Sequence, residues 1–121
     1  MKVFFLDDDN IRLNAAKVKF ANHELHLAKN ANEAIRILDK ESPFDLVHLD
    51  HDLGGVYLPS DEKSGYAVAM HIVHMPAKKK PKTVIVHSYN PNGSRLMIQA
   101  LRSFVKVYYY PFDAEDFKTS I

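Results

Sequence analysis

The chain has 121 residues, a length that suits one compact domain, and 46% of them are apolar, which is ordinary for a globular protein. The net charge of +1 makes no global case for binding to nucleic acid or to a membrane. The chain contains no cysteine, which excludes disulfides, thiolate metal sites and a cysteine nucleophile and fits a cytoplasmic protein. We therefore expect one cytoplasmic domain over residues 1–121.

Short apolar runs alternate along the chain with segments of helical periodicity. The runs at 3–6, 24–28, 44–49, 83–86 and 105–110 predict five strands. In the first helix the repeating residues are Ile11, Ala15 and Val18, and the helix is expected to end near residue 22. A short last helix is predicted over 113–118.

The three remaining helices each have an apolar stripe and a candidate end. The predicted stripes are Ala31, Ala34, Ile35 and Leu38; Tyr66, Ala69, Met70 and Val73; and Met97, Ala100, Leu101 and Phe104. The candidate N-caps are Asn30 or Asn32 for the first of these helices and Asn92 or Ser94 for the last. The order is thus strand and helix in regular alternation, which predicts an α/β fold with a parallel, doubly wound sheet.

Reactive side chains follow three of the five predicted strands. They are Asp7, Asp8 and Asp9 after the first strand, Asp50, His51 and Asp52 after the third, and His87, Ser88 and Asn90 after the fourth. Ligands of such sheets bind beyond the carboxyl ends of the strands, where these groups would meet. Clustered carboxylates repel one another unless a cation neutralises them, and Mg²⁺ or Mn²⁺ would do so. For any one Asp taken alone, a role as a loop or helix cap is the alternative.

Other polar features have plainer interpretations. His48 lies inside a strand and is interpreted as a core histidine, and His71 with His74 is interpreted as part of a helix face. The lysine-rich segment 78–82 is either a solvated loop or a patch that attracts phosphate. The segment 54–64 is either a mobile connection or a loop that closes over a substrate.

The whole pattern resembles the receiver domains of two-component signalling. Segments 4–9, 44–50 and 107–112 are similar to the receiver strands that carry the acidic pair, the phosphoacceptor aspartate and the final proline. The resemblance implies a flavodoxin-like (βα)5 fold with strand order 2-1-3-4-5 and helices on both faces, with Asp50 as phosphoacceptor and Ser88 as the switch hydroxyl. It fails at Tyr110, because receivers have lysine immediately before that proline.

A closer resemblance is to the atypical receivers called cyclic-phosphate-processing receiver domains. The segments that carry it are L-D-H-D-L-G at 49–54, S-G-Y at 64–66 and H-S-Y-N-P-N-G at 87–93. Asp7, Asp8 and Arg12 would form the acid–arginine opening of that family, although residues 9–11 differ from its common form. The resemblance implies a metal-dependent phosphoesterase that acts on a cyclic phosphate, either a cyclic nucleotide or the 2′,3′-cyclic phosphate end of an RNA.

This resemblance also implies roles for individual residues. The metal ligands would be Asp7, Asp8, Asp50 and Asp52. The catalytic residues would be Asp50 with His51 or His87, since imidazole titrates near neutrality and can serve as acid or base. The phosphate-binding residues would be Arg12, Ser88, Asn90 and Arg95. The expected cofactor is a divalent metal ion, Mg²⁺ or Mn²⁺.

Two other functions stay open at this point. The chain could be a signalling receiver phosphorylated on Asp50, or a protein that sequesters a nucleotide without turnover. The expected partner is a phosphate-containing small molecule or an RNA end, with no indication of a membrane or of duplex nucleic acid. The stripe of Phe104, Val105, Val107 and Tyr109 belongs either to the core or to the surface of a homodimer.

Overall fold

The computed structural model describes residues 1–54 and 63–110, so the predicted helix at 113–118 and most of the predicted loop at 54–64 lie outside the described residues. The five strands are β1 (Lys2–Leu6), β2 (Glu24–Ala28), β3 (Leu46–Leu49), β4 (Thr83–Val86) and β5 (Lys106–Tyr109). The helices are α1 (Asn10–Lys19), α2 (Ala31–Glu41), α3 (Gly65–His74) and α4 (Pro91–Leu101), with a 3₁₀ turn at Ala77–Lys79.

The strands are all parallel and form one sheet in the order β2-β1-β3-β4-β5. The predicted fold class and strand order are therefore confirmed. In the register of the sheet, Leu6 pairs with Leu49, Leu49 with Val86, and Val86 with Tyr109. The residues that follow these four therefore emerge side by side at one edge of the sheet, which places the candidate site.

The two faces of the sheet bury cores of different size. Helices α2, α3 and α4 cover one face, where the buried cluster includes Phe4, Val47, Ile72, Met97 and Leu101. The other face packs against α1, and its smaller cluster includes Val3, Phe5, Leu13, Phe20 and Ile85. No helix in the described ranges is long and apolar enough to cross a lipid bilayer.

The buried face of α1 differs from the predicted one. Ile11 and Val18 are 74% and 66% exposed, whereas Leu13 and Ala16 are buried and Phe20 closes the helix as its C-cap. Both sets of residues repeat at helical spacing, and the sheet packs against the set that contains Leu and Phe. The helix therefore also ends earlier than expected, at Lys19.

Smaller differences occur in the other helices. The cap of α4 is Asn90 rather than Asn92 or Ser94, because its side chain accepts a hydrogen bond from the Gly93 amide and Pro91 fills the first helical position. Phe104 is 54% exposed and does not join the core. The residues predicted to be buried that are only half-buried are Ile35, Tyr66, Met70, Val73 and Ala100.

Candidate functional site

Asp7, Asp50 and His87 meet at the carboxyl edge of the sheet. Each directly follows a strand, and the three strands are neighbours in register. Their exposed fractions are 0%, 5% and 3%, and one potential ligand atom from each lies within 4.8 Å of those of the other two. Two carboxylates and an imidazole so close together form a donor set that suits a divalent cation.

Arg12 lies across the acidic side chains as an internal counter-ion. Its Nε donates to Asp7 Oδ2 over 2.7 Å, and its guanidinium approaches Asp9 Oδ2 at 3.2 Å and Asp50 Oδ2 at 3.7 Å. In a receiver the lysine before the final proline would be the cation near the phosphoacceptor. Tyr110 takes that place here, so Arg12 supplies a positive charge beside Asp50 from a different element, α1.

The two buried carboxyl groups differ in their proton affinity. Burial alone would raise the pKa of Asp7, but hydrogen bonds from His87 and Arg12 outweigh it and hold that pKa below its ordinary value. Burial and the nearby Asp7 carboxylate raise the pKa of Asp50 to about 8. Ionisation of Asp50 is therefore unfavourable in this environment, and a bound cation would stabilise the ionised form.

His87 is held in one orientation by two contacts. Its Nε2 lies 2.8 Å from Asp7 Oδ2, and its ring stacks on Phe5 at a centroid distance of 4.8 Å and an interplanar angle of 7°. Burial lowers the pKa of His87, so the imidazole is neutral at pH 7. A neutral imidazole can bind a metal ion, so the residue expected to transfer protons is also a candidate metal ligand.

A second polar group lies next to this one. His51 is fully buried, and its Nδ1 lies 2.6 Å from Asp52 Oδ1. Asn90 donates from Nδ2 to the same carboxylate oxygen over 2.9 Å while its Oδ1 caps α4. A carboxylate thus orients the imidazole, an arrangement typical of a histidine that transfers protons. Asp52 takes part in this group and not in the group of three.

Two glycines that sequence reasoning did not single out make these positions possible. A Cβ on Gly65 would lie 1.8 Å from the carbonyl oxygen of Asp50, and a Cβ on Gly93 would lie 2.4 Å from the ring of His51. The backbone of α3 therefore approaches the end of β3, and α4 approaches His51, more closely than a side chain would allow. Both glycines stand within motifs that carry the family resemblance, which was the available signal.

The remaining predicted site residues are more widely spread. Asp8 is exposed and accepts a hydrogen bond from the Gly54 amide over 2.8 Å, outside the group of three. The Ser88 hydroxyl is buried and accepts from the Asn90 amide over 3.0 Å. Arg95 is exposed on α4 and reaches Asn92 Oδ1 at 3.4 Å. The roles of these residues toward phosphate stay predictions.

The histidines that were given plainer interpretations lie away from the site or in the core. His48 is 4% exposed, and its ring lies 5.2 Å from Phe5 and 5.7 Å from Phe20. His71 contacts the exposed Asp39 of the neighbouring helix α2 at 2.7 Å. These positions agree with a core residue and a helix face.

Solved receiver domains share this fold. The chain superposes on a CheY-like response regulator receiver domain from Methanospirillum hungatei JF-1 with a TM-score of 0.63 and 19% identity, over 95% of this chain and 85% of that one. It superposes on the receiver domain of a sensor histidine kinase from Pseudomonas aeruginosa PAO1, which has a magnesium ion coordinated in its active site cleft, with a TM-score of 0.70 and 15% identity, over 98% and 91% of the two chains.

Sequence comparison is more specific than these structural matches. Among proteins with curated functions, none matches the chain at a significant level. The model of one family, the cyclic-phosphate processing receiver domain, matches residues 1–103. The matched region contains the three strand ends, Arg12 and both glycines of the site. The chain therefore belongs to the cyclic-phosphate processing receiver domain family.

Proposed function

We propose that this protein is a metal-dependent phosphoesterase that hydrolyses a cyclic phosphate ester. The observation that carries the proposal is the buried group of Asp7, Asp50 and His87, whose potential ligand atoms lie within 4.8 Å of one another. Burial and the Asp7 carboxylate raise the pKa of Asp50, which supports the binding of a cation that would neutralise the charge of the two carboxylates. The two carboxylates suit Mg²⁺ or Mn²⁺, and the imidazole beside them favours Mn²⁺ or another transition metal.

The residues around the group divide the chemistry between them. A divalent cation held by Asp7, Asp50 and His87 would supply a Lewis acid for the phosphoryl oxygens. Hydrolysis of a cyclic ester adds water to phosphorus and breaks one ring P–O bond, so one proton leaves the water and one reaches the departing oxygen. His51, oriented by Asp52 at 2.6 Å, is the residue that we assign to this proton transfer. Arg12 would bind the anionic oxygens of the ester.

The test is an assay of the purified protein with Mg²⁺ or Mn²⁺ and 2′,3′-cyclic mononucleotides, with chromatography of the monophosphate products. We expect turnover that requires the cation and falls at least a hundredfold in Asp50→Asn and in His51→Gln. Asp39→Asn removes an exposed carboxylate on α2 and serves as the matched control, with turnover unchanged. Binding of the nucleotides without products in the wild type would replace the proposal with sequestration.

A receiver-type switch is the second candidate, and one observation favours it. The guanidinium of Arg12 lies 3.7 Å from Asp50 Oδ2 and could pair with a phosphoryl group on that carboxylate in place of the absent lysine. Incubation with radiolabelled acetyl phosphate and Mg²⁺ separates the two functions. A stable acyl phosphate that is absent from Asp50→Asn, together with no turnover of cyclic phosphates, would support the switch.

A further inference from the structure

Two grooves lie along α4 and β5, outside the groups of side chains that form the candidate site. The first has a volume of about 360 Å³ and is lined by Pro91, Ser94, Arg95, Ile98, Arg102 and Tyr109, among others. The second has about 510 Å³ and is lined by Lys80, Lys82, Arg102, Phe104 and Lys106, among others. Arg102 lines both grooves, so they lie next to each other on the surface. We call the two together the α4–β5 groove.

The groove comes close to the candidate site at the N-terminal end of α4, where Pro91 and Ser94 line it. Asn90 caps α4 and donates to Asp52, so the N-terminal end of the helix lies against the second polar group of the site. The helix has eleven residues and is about 16 Å long, which carries the groove from the carboxyl edge of the sheet to the opposite edge. Arg95 and Arg102 are seven residues, or two turns, apart and therefore face the same side.

The far end of the groove is strongly basic. Four cations line it, namely Lys80, Lys82, Arg102 and Lys106, and Lys78 and Lys79 directly precede Lys80 in the chain. Asp45 pairs with Lys82 at 3.3 Å, and no other carboxylate of residues 1–54 and 63–110 lies within ion-pair distance of these six cations. For a chain of net charge +1, this is a pronounced local concentration of positive charge, which is complementary to a polyanion.

Aromatic rings are exposed within this basic groove. Phe104 is 54% exposed, and Lys80 Nζ lies 5.4 Å from the centre of its ring. Tyr109 is 45% exposed and lines the half of the groove nearer the site. A positively charged groove with exposed aromatic rings is the arrangement that binds single-stranded nucleic acid, because the cations follow the phosphates and the rings stack with bases.

We propose that the α4–β5 groove binds single-stranded RNA and leads its 3′ end to the site. This inference rests on the proposed function for the identity of the polymer, because a 2′,3′-cyclic phosphate requires the 2′-hydroxyl that only RNA has. The acidic carboxyl edge alone would repel a polyanion. The basic far end of the groove would hold the RNA backbone while its terminal phosphate reaches the site.

The first test measures binding rather than turnover. The probe is a 5′-fluorescent single-stranded RNA of about ten nucleotides, within the usual site sizes, and its anisotropy is followed at several salt concentrations in EDTA. In Arg102→Gln we expect affinity at 50 mM salt to fall roughly five- to tenfold and the slope of log K against log salt to lessen by about 0.7, the value for one phosphate contact on a single strand. Arg36→Gln, which removes an exposed charge on α2, is the matched control and should change neither.

A second variant separates stacking from charge. Phe104→Ala should weaken binding by at least fivefold while leaving the salt slope unchanged, because stacking releases no counterions. Circular dichroism and thermal unfolding of each variant verify that it is folded. Equal losses of RNA affinity in Arg102→Gln and Arg36→Gln would overturn the proposal that the groove binds RNA. An acidic polypeptide that displaces the RNA, binds more tightly and depends on Arg102 would also overturn it.

Turnover then distinguishes this inference from the proposed function. If both hold, Arg102→Gln keeps the wild-type kcat/KM for a cyclic mononucleotide, whereas its kcat/KM for the RNA carrying a 2′,3′-cyclic phosphate falls roughly five- to tenfold at 50 mM salt, in step with the loss of affinity. Arg102-dependent RNA binding without any turnover by the wild type would support the groove and contradict the phosphoesterase. Turnover of mononucleotides without RNA binding would contradict the groove alone.

Discussion

At Asp50, burial and the Asp7 carboxylate act in the same direction and raise the pKa of the carboxyl group to about 8. The unfolded chain ionises this group near pH 3.8, so between these values unfolding releases a proton and the stability contributed by Asp50 falls as pH rises. Burial lowers the pKa of His48 and of His87 below 6.5, so their contribution to stability rises with pH. This rise occurs only at pH values where the imidazoles of the unfolded chain are charged. Above pH 7 most of these imidazoles are neutral, and Asp50 therefore determines how stability changes with pH.

The free energy of unfolding of the metal-free protein is therefore expected to fall by about 1 kcal/mol between pH 7 and pH 8, as one pKa unit corresponds to about 1.4 kcal/mol. Urea denaturation in EDTA measures this change. Asp50→Asn should abolish the decrease, whereas the exposed control Asp39→Asn should retain it. A decrease of the same size in Asp50→Asn would show that another group causes the pH dependence.

Gly65 provides a second prediction at the scale of one residue. Gly65→Ala should lower the free energy of unfolding by more than about 2 kcal/mol, because the new Cβ would lie 1.8 Å from a backbone oxygen that cannot move alone. This loss should occur although alanine favours a helix by about 1 kcal/mol. Gly54 has a φ of +60° with nothing within 4 Å of a Cβ, so Gly54→Ala should cost only the backbone strain of about 1 kcal/mol. Urea denaturation of both variants compares them, and equal losses would contradict the steric explanation.

The sequence showed which types of residue follow each strand, but it did not show which side chains and backbone segments from distant elements come into contact. The acids and histidines that follow apolar runs indicated one polar edge, and the register of the sheet brings Asp7, Asp50 and His87 together there. The contact of Arg12 with three carboxylates and the clearance at Gly65 and Gly93 depend on packing between elements far apart in the chain. No local pattern specifies such distances.

Among the secondary-structure elements, α4 is the one most directly tied to the site. Asn90 both caps this helix and donates to Asp52, so one side chain joins α4 to the segment after β3. Asn90→Asp keeps a good cap acceptor but replaces the donor with a second carboxylate facing Asp52. We expect it to lower the free energy of unfolding by about 1–3 kcal/mol in urea denaturation, and the loss should lessen at high salt.

The control for this substitution lies in α2. Asn30 caps that helix through the Glu33 amide at 2.8 Å, and Asn30→Asp leaves the cap acceptor in place. Because aspartate and asparagine are similar as N-caps, this variant should change stability by no more than about 0.5 kcal/mol. If both variants lost the same amount, the bond to Asp52 would contribute nothing beyond the cap.

For the four helices in the part of the chain that the structure describes, periodicity predicted the presence of the helix more reliably than its buried face. In α1 two sets of residues repeat at helical spacing, and the buried set is the one with Leu13, Ala16 and Phe20. The choice between them depends on the sheet surface against which the helix packs. The strands were simpler, since β2 and β4 have the predicted bounds and only the ends of β1, β3 and β5 differ by a residue or two.

At the scale of the whole molecule, the parallel sheet brings together residues that are about 40 and 80 positions apart in sequence. Paramagnetic Mn²⁺ added to ¹⁵N-labelled protein should therefore broaden the amide signals near Asp7, Asp50 and His87 at the same time. A second group of potential ligands, Glu24, His26 and Glu41, is more exposed and lies on other elements. Asp50→Asn should remove the broadening at the strand ends, and broadening confined to Glu24 and Glu41 would contradict the proposed metal site.

The contact between His87 and Asp7 has a further consequence for the position of one proton. A neutral imidazole whose Nε2 lies 2.8 Å from an ionised carboxylate carries its hydrogen on Nε2, with the lone pair on Nδ1. A cation that coordinates Nε2 needs the lone pair on that nitrogen, so the hydrogen must transfer to Nδ1. Loading of the site and the change of tautomer at His87 would then be one event, with the stacked ring of Phe5 fixing the plane in which it occurs.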